Sequence, residues 1–103
     1  MSEQHTESQQ FLTYKGKPLV RNGNTIYYGD MRDKFVVMMT ILTNHDEDGM
    51  NFADKILIQL LSTDPSKPIT ERFIKKSEKT GLYNALDVSS IWLDRALKES
   101  SES

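Results

Sequence analysis

The sequence predicts an α+β fold: an antiparallel meander of five to six strands, free to curl into a partly open barrel, with one C-terminal helix packed on it. Three stretches carry that expectation. FLTYKGKPLVRNGNTIYYGD (11–30) sets Lys15-Gly16 and Asn22-Gly23 between short runs of strand formers, and Asn-Gly is the strongest short hairpin signal. DKFVVMMTILT (33–43) alternates Phe35, Val37, Met39 and Ile41 on one face with Val36, Met38 and Leu42 on the other, so both faces are apolar, as in a central strand covered on two sides. LYNALDVSSIWLDRALKES (82–100) gathers Ala85, Leu86, Trp92, Leu93, Ala96 and Leu97 at helical spacing.

The remaining elements follow in order. Pro18 cannot donate to a ladder and is expected at a strand start or an edge. Strand pleating separates the adjacent tyrosines: Ile26 and Tyr28 share one face, Thr25 and Tyr27 the other. Tyr28 is expected inside and Tyr27 outside. NHDEDG (44–49) reads as a solvated loop. FADKILIQLLST (52–63) fits a strand better than a helix, because Leu57, Ile58 and Leu61 spill off the helical stripe of Phe52, Ile56 and Leu60. STDPSKP is a proline-punctuated loop, and ITERFIKKSEKTG (69–81) is a half-basic edge strand. Asn84 is the expected helix N-cap, with Asp87 in the first turn and Asp94–Lys98 as a favourably ordered pair. Residues 1–10 and 98–103, polar and poor in apolar groups, are expected to be disordered tails around one domain at 11–97.

Composition narrows the chemistry. A chain of 103 residues, 37% hydrophobic and 27% charged, suits one core. It has no cysteine, which removes disulfides, zinc-thiolate sites and thiol nucleophiles and fits a reducing compartment. The longest apolar run falls far short of the ~20 residues of a membrane span, and MSEQHTESQQ has neither the basic nor the apolar region of a secretory signal. A cytoplasmic protein with no membrane contact is expected. The net charge of −2 argues against a strong polyanion binder as a whole. Charge is nevertheless blocked: Lys15, Lys17, Arg21, Arg32 and Lys34 face only Asp30 and Asp33 across 11–43, and Arg72, Lys75, Lys76 and Lys79 outnumber Glu71 and Glu78 across 71–81.

Asn44, Asp46 and Asp48, followed by Gly49, imitate the start of an EF-hand calcium loop. The position that needs a bidentate glutamate is Lys55, and the flanks read as strands, so no metal is expected. His5 and His45 have no evident buried partner, and no nucleophile elbow, phosphate-binding loop or zinc-protease motif occurs. No catalytic residue, cofactor or metal site is assigned. A small-ligand site would require the sheet to curl round a cavity, and no converging polar groups point to one.

YKGKPLVRNGNTIYYGD, LLSTDPSKP and GLYNALDVSSIWLDRAL together resemble a group of short uncharacterised bacterial proteins associated with anaerobic Gram-positive species, over most of residues 14–97. The resemblance implies a shared bacterial domain and brings no activity, cofactor or site residue with it.

Two functional expectations remain. One helix covers one face of a sheet, so Val36, Met38, Leu57 and Leu61 are left on the other. Leaving four large apolar side chains in water forfeits several kcal/mol at about 1.5–3 kcal/mol each. They are buried either by curling or by a second molecule, and the leading expectation is a non-catalytic protein-interaction module that self-associates through this face. The alternative is anion or single-stranded nucleic-acid binding by Lys15, Lys17, Arg21, Arg32, Arg72, Lys75 and Lys76, with Tyr14 and Tyr27 as stacking rings.

Overall fold

Two-residue turns organise the first half of the chain in the computed structural model, which describes residues 10–102 and the side-chain surroundings of 12–100. Strand β1 (Gln10–Tyr14) reverses at Lys15-Gly16, both at positive φ (52° and 81°), into β2 (Lys17–Asn22). Gly23-Asn24 then reverses β2 into β3 (Thr25–Tyr28). A longer turn, tied by Asp33 N–H donating to the Asp30 carbonyl (2.8 Å), leads into β4 (Phe35–Ile41). The chain then makes a side hairpin, β5 (Asn44–Glu47) and β6 (Met50–Ala53), before β7 (Lys55–Ser62) returns beside β4. A single turn α1 (Ile69–Arg72) precedes edge strand β8 (Phe73–Thr80), and α2 (Leu82–Glu102) closes the chain. The main sheet is antiparallel and open, in the order β1-β2-β3-β4-β7-β8, with β5-β6 a separate pair. Six strands and one packed helix make the fold α+β.

The pleat sorts the core. Leu19, Tyr28, Val37 and Leu60 lie in one cross-strand row, and Ile26, Met39 and Ile58 in the next, all on the face that carries α2. Tyr28, Val37, Met39, Ile56, Ile58, Ala85 and Leu93 are fully buried, with Leu86, Trp92, Ala96 and Leu97 packed around them. The Tyr28 hydroxyl donates to the Tyr14 carbonyl (2.9 Å), and the two rings meet edge-on at 5.9 Å. Burial, with Asp94 and Tyr14 nearby, holds the Tyr28 phenol above its usual pKa.

Several expectations need correction. NHDEDG is not a loop: it forms β5 and the Asp48-Gly49 turn, where both residues take positive φ (52° and 79°). The strand expected from Ile69 starts at Phe73, because Arg72 folds back to donate to the Lys67 and Pro65 carbonyls (3.0 and 3.3 Å) and closes the one-turn helix. Asn84 does not cap α2. The helix begins at Leu82, Ala85 N–H donates to the Gly81 carbonyl (3.1 Å), and Asn84 Nδ2 donates to the Thr80 carbonyl (2.8 Å), inside the first turn. The expected tail at 98–103 is helical through Glu102. Gln10, expected in the first tail, belongs to β1, and the rest of that expected tail lies outside the described residues.

Gly29 shows how closely helix and sheet approach. Its φ is +118°, and a Cβ there would lie 3.0 Å from Leu93 Cδ2 and 3.4 Å from Val36 Cγ1. Gly29→Ala is therefore expected to cost about 1–3 kcal/mol through overpacking and backbone strain. The measurement is a lowered urea midpoint with an unchanged m value.

Candidate functional site

The face opposite α2 is built from three cross-strand rows. Val20, Tyr27, Met38, Gln59 and Lys76 form the middle row. Val36, Leu61 and Phe73 lie on one side of it, and Thr25, Thr40, Leu57 and Glu78 on the other. Antiparallel partners point to the same face, so these side chains form one surface. Tyr27 and Phe73 are 43% and 41% exposed, and Met38, Leu57 and Leu61 are half-buried. The helix contributes nothing to this face, since α2 packs on the other side of β4, β7 and β8.

Of the four residues expected here, Met38, Leu57 and Leu61 are placed as expected and Val36 is not available. Val36 is on this side by register but is only 4% exposed. Tyr27, Phe73 and Val20 complete the surface. Tyr27 was legible from pleating alone. Phe73 was not, because a register shift between Leu60 and Leu61 sets it opposite Leu61 and leaves Ile74 as the extra residue of a bulge.

The basic residues do not assemble. Lys17 Nζ donates to Asp94 (2.9 Å) and Lys15 lies 3.7 Å from Asp87, so both fasten the first hairpin to α2. Arg21 Nε donates to the Gly23 carbonyl (3.0 Å). Arg32 makes a bidentate contact with Asp30 (2.7 Å at its shortest), which holds that carboxyl at a pKa of about 2. Arg72 is spent on carbonyls, and Lys75 lies over the Trp92 ring, 4.9 Å from its centroid, on the helix side. Lys76 points to the opposite face. Tyr14 belongs to the helix side and Tyr27 to the uncovered side, so they form no common stacking platform.

The side hairpin brings together a cluster that sequence spacing did not reveal. His45 Nδ1 is 2.6 Å from Asp54 Oδ1 and Nε2 is 3.4 Å from Glu47 Oε1, while Phe52, directly opposite, stacks on the ring at 5.5 Å. The Asp54 hydrogen bond, helped by Glu47, raises the His45 pKa above its ordinary 6.5. A raised histidine pKa stabilises the folded hairpin below about pH 6.5, and that contribution disappears as pH climbs through the raised value. NMR titration of the His45 ring is expected to give a midpoint above 6.5, moving back towards it in Asp54→Asn. Among the described residues, no three His, Cys, Asp or Glu side chains are grouped to hold a metal ion. Asp46, from the calcium-like pattern, accepts a hydrogen bond from Asn51 Nδ2 across the hairpin (2.9 Å).

No protein-family model, curated protein or solved structure matches the chain. Among the described residues, no helix is long and apolar enough to cross a membrane.

Proposed function

We propose that the protein is a small protein-interaction module that pairs with a second copy of itself through the sheet face opposite α2. The observation that carries the reading is the clustering of Tyr27, Met38, Leu57, Leu61 and Phe73 on one face while the long helix occupies the other. Strands about 4.8 Å apart and side-chain rows about 7 Å apart give a face of roughly 500 Å² per protomer. A pair would bury roughly 1,000 Å², the lower limit of a specific interface. Two such faces stack about 10 Å apart as a β-sandwich, inclined by about 30°. Aromatic and methionine side chains at the centre, with Lys76 and Glu78 near the β8 edge, follow the usual arrangement of apolar core and polar rim.

The alternative, an anion or a single nucleic-acid strand held by the basic hairpins, draws less support, because Lys15, Lys17 and Arg32 already have acidic partners. Sedimentation from about 1 μM to about 1 mM brackets dimer free energies of about 8 to 4 kcal/mol. A monomer–dimer equilibrium is expected within that range. A strict monomer throughout overturns the proposal, and salt-sensitive binding of a labelled oligonucleotide would transfer support to the alternative.

A further inference from the structure

On the helix side, where the β7–β8 bulge lifts Ile74 away from regular pairing, α2 and the sheet edge leave a groove of about 530 Å³. Its apolar lining includes Phe35, Leu60, Ile74, Trp92 and Ala96. Its volume falls within the range of ordinary small-molecule sites, about 300–1,000 Å³.

The charge around the groove is asymmetric. Lys75 lies over the Trp92 ring, and Arg95 follows Trp92 by three residues, so both cations stand near the indole. Arg95 has no hydrogen-bond or ion-pair partner among the described residues, and Lys75 has only the ring. Glu99, the acid lining the groove, is seven residues beyond Trp92, about 10 Å along the helix, and one turn beyond Arg95, which therefore stands between the indole and the acid. Two cations and one acid therefore border the apolar lining, with Lys75 and Trp92 at the end away from Glu99 and Arg95 between.

We propose that this groove binds a carboxylate carrying an apolar tail, with the carboxylate between Lys75 and Arg95 and the tail over Phe35, Leu60 and Ala96. A guanidinium presents a planar fork that matches a carboxylate, and its neighbouring ammonium adds a point charge. The tail replaces water against Trp92 and Ile74, the latter 48% exposed in the free protein. The groove lies across the sheet from the proposed pairing face, so the two readings stand or fall separately.

Trp92 is the only tryptophan in the chain, so its fluorescence reports on the groove directly. Dodecanoate, kept below the concentration at which it forms micelles, is expected to shift the Trp92 emission saturably, with dodecanol at least about tenfold weaker. Lys75→Gln and Arg95→Gln should each weaken dodecanoate about tenfold, whereas Lys76→Gln, on the opposite face, should leave it unchanged. Circular dichroism establishes that each variant is folded. Unchanged emission with dodecanoate, equal binding of dodecanol, or an equal loss in Lys76→Gln would each overturn the proposal.

Discussion

Leu93→Ala is expected to lower the unfolding free energy by about 2–5 kcal/mol, the largest stability change of any single truncation on α2. Leu93 is fully buried at the middle of the helix's inner face, against a sheet whose Val37, Met39 and Ile58 are equally buried. Gly29 approaches so closely that a Cβ on it would stand 3.0 Å from Leu93 Cδ2. Truncation opens a cavity bounded by a strand end on one side and the helix on the other, and neither can collapse without breaking the ladder or undocking α2. A domain of this size commonly has only about 5–15 kcal/mol of net stability, so the loss is a large fraction of it. Ile91, two residues away and 43% exposed, supplies the control: Ile91→Ala should change stability by no more than about 0.5 kcal/mol. Urea unfolding of both variants measures the contrast. Equal losses would mean that the helix does not dock by the face assigned to it.

The residues that govern this docking were legible in the sequence because each carries a periodic signal. Tyr27 and Tyr28 divide between faces as pleating requires, with Tyr28 fully buried and Tyr27 43% exposed. The doubly apolar run from Phe35 and the strand at Ile56–Leu60 likewise emerge as neighbours, β4 beside β7. Hydrophobic period failed where burial does not drive the structure. β5 is exposed along its whole length, so its sequence has no apolar alternation, and its pairing depends on turn geometry at Asp48-Gly49. The start of α2 was misplaced for a related reason. Asn84 is a good cap by residue type, but Gly81 N–H is held by the Asp54 carbonyl (2.7 Å), a tertiary contact that moves the boundary forward.

The surroundings of the candidate site residues depend on contacts of another kind. Pleating assigns Val36 to the correct side but does not show that it is only 4% exposed there. Blocked charge suggested a basic surface, yet Lys17 meets Asp94 from 77 residues away. Such a pairing depends on where the helix lands, which no local pattern encodes. The groove beside Trp92 depends on the bulge at Leu60/Leu61, a register shift that appears only when β7 and β8 are laid side by side.

Met38→Lys is expected to abolish pairing across the uncovered face while leaving the fold intact. In the monomer Met38 is half-buried on an open surface between Tyr27 and Gln59, where a lysine stem can cover the same strands and its ammonium reach water. In a face-to-face pair the same position lies at the centre. Two-fold symmetry brings two new ammonium groups into one dry layer, and the cross-strand partners Tyr27 and Gln59 carry no negative charge. An unpaired buried charge costs about 3–5 kcal/mol, enough to weaken association by more than about 100-fold even after some escape towards the rim. The neighbouring Thr40→Lys provides the contrast. It faces the same side, but its row contains Glu78, so a lysine there has an acid within two strands. Sedimentation of both variants beside the unaltered protein is expected to show Met38→Lys as a monomer at every concentration and Thr40→Lys weakened by a smaller factor. An unchanged dimer in Met38→Lys would place the contact elsewhere on the molecule.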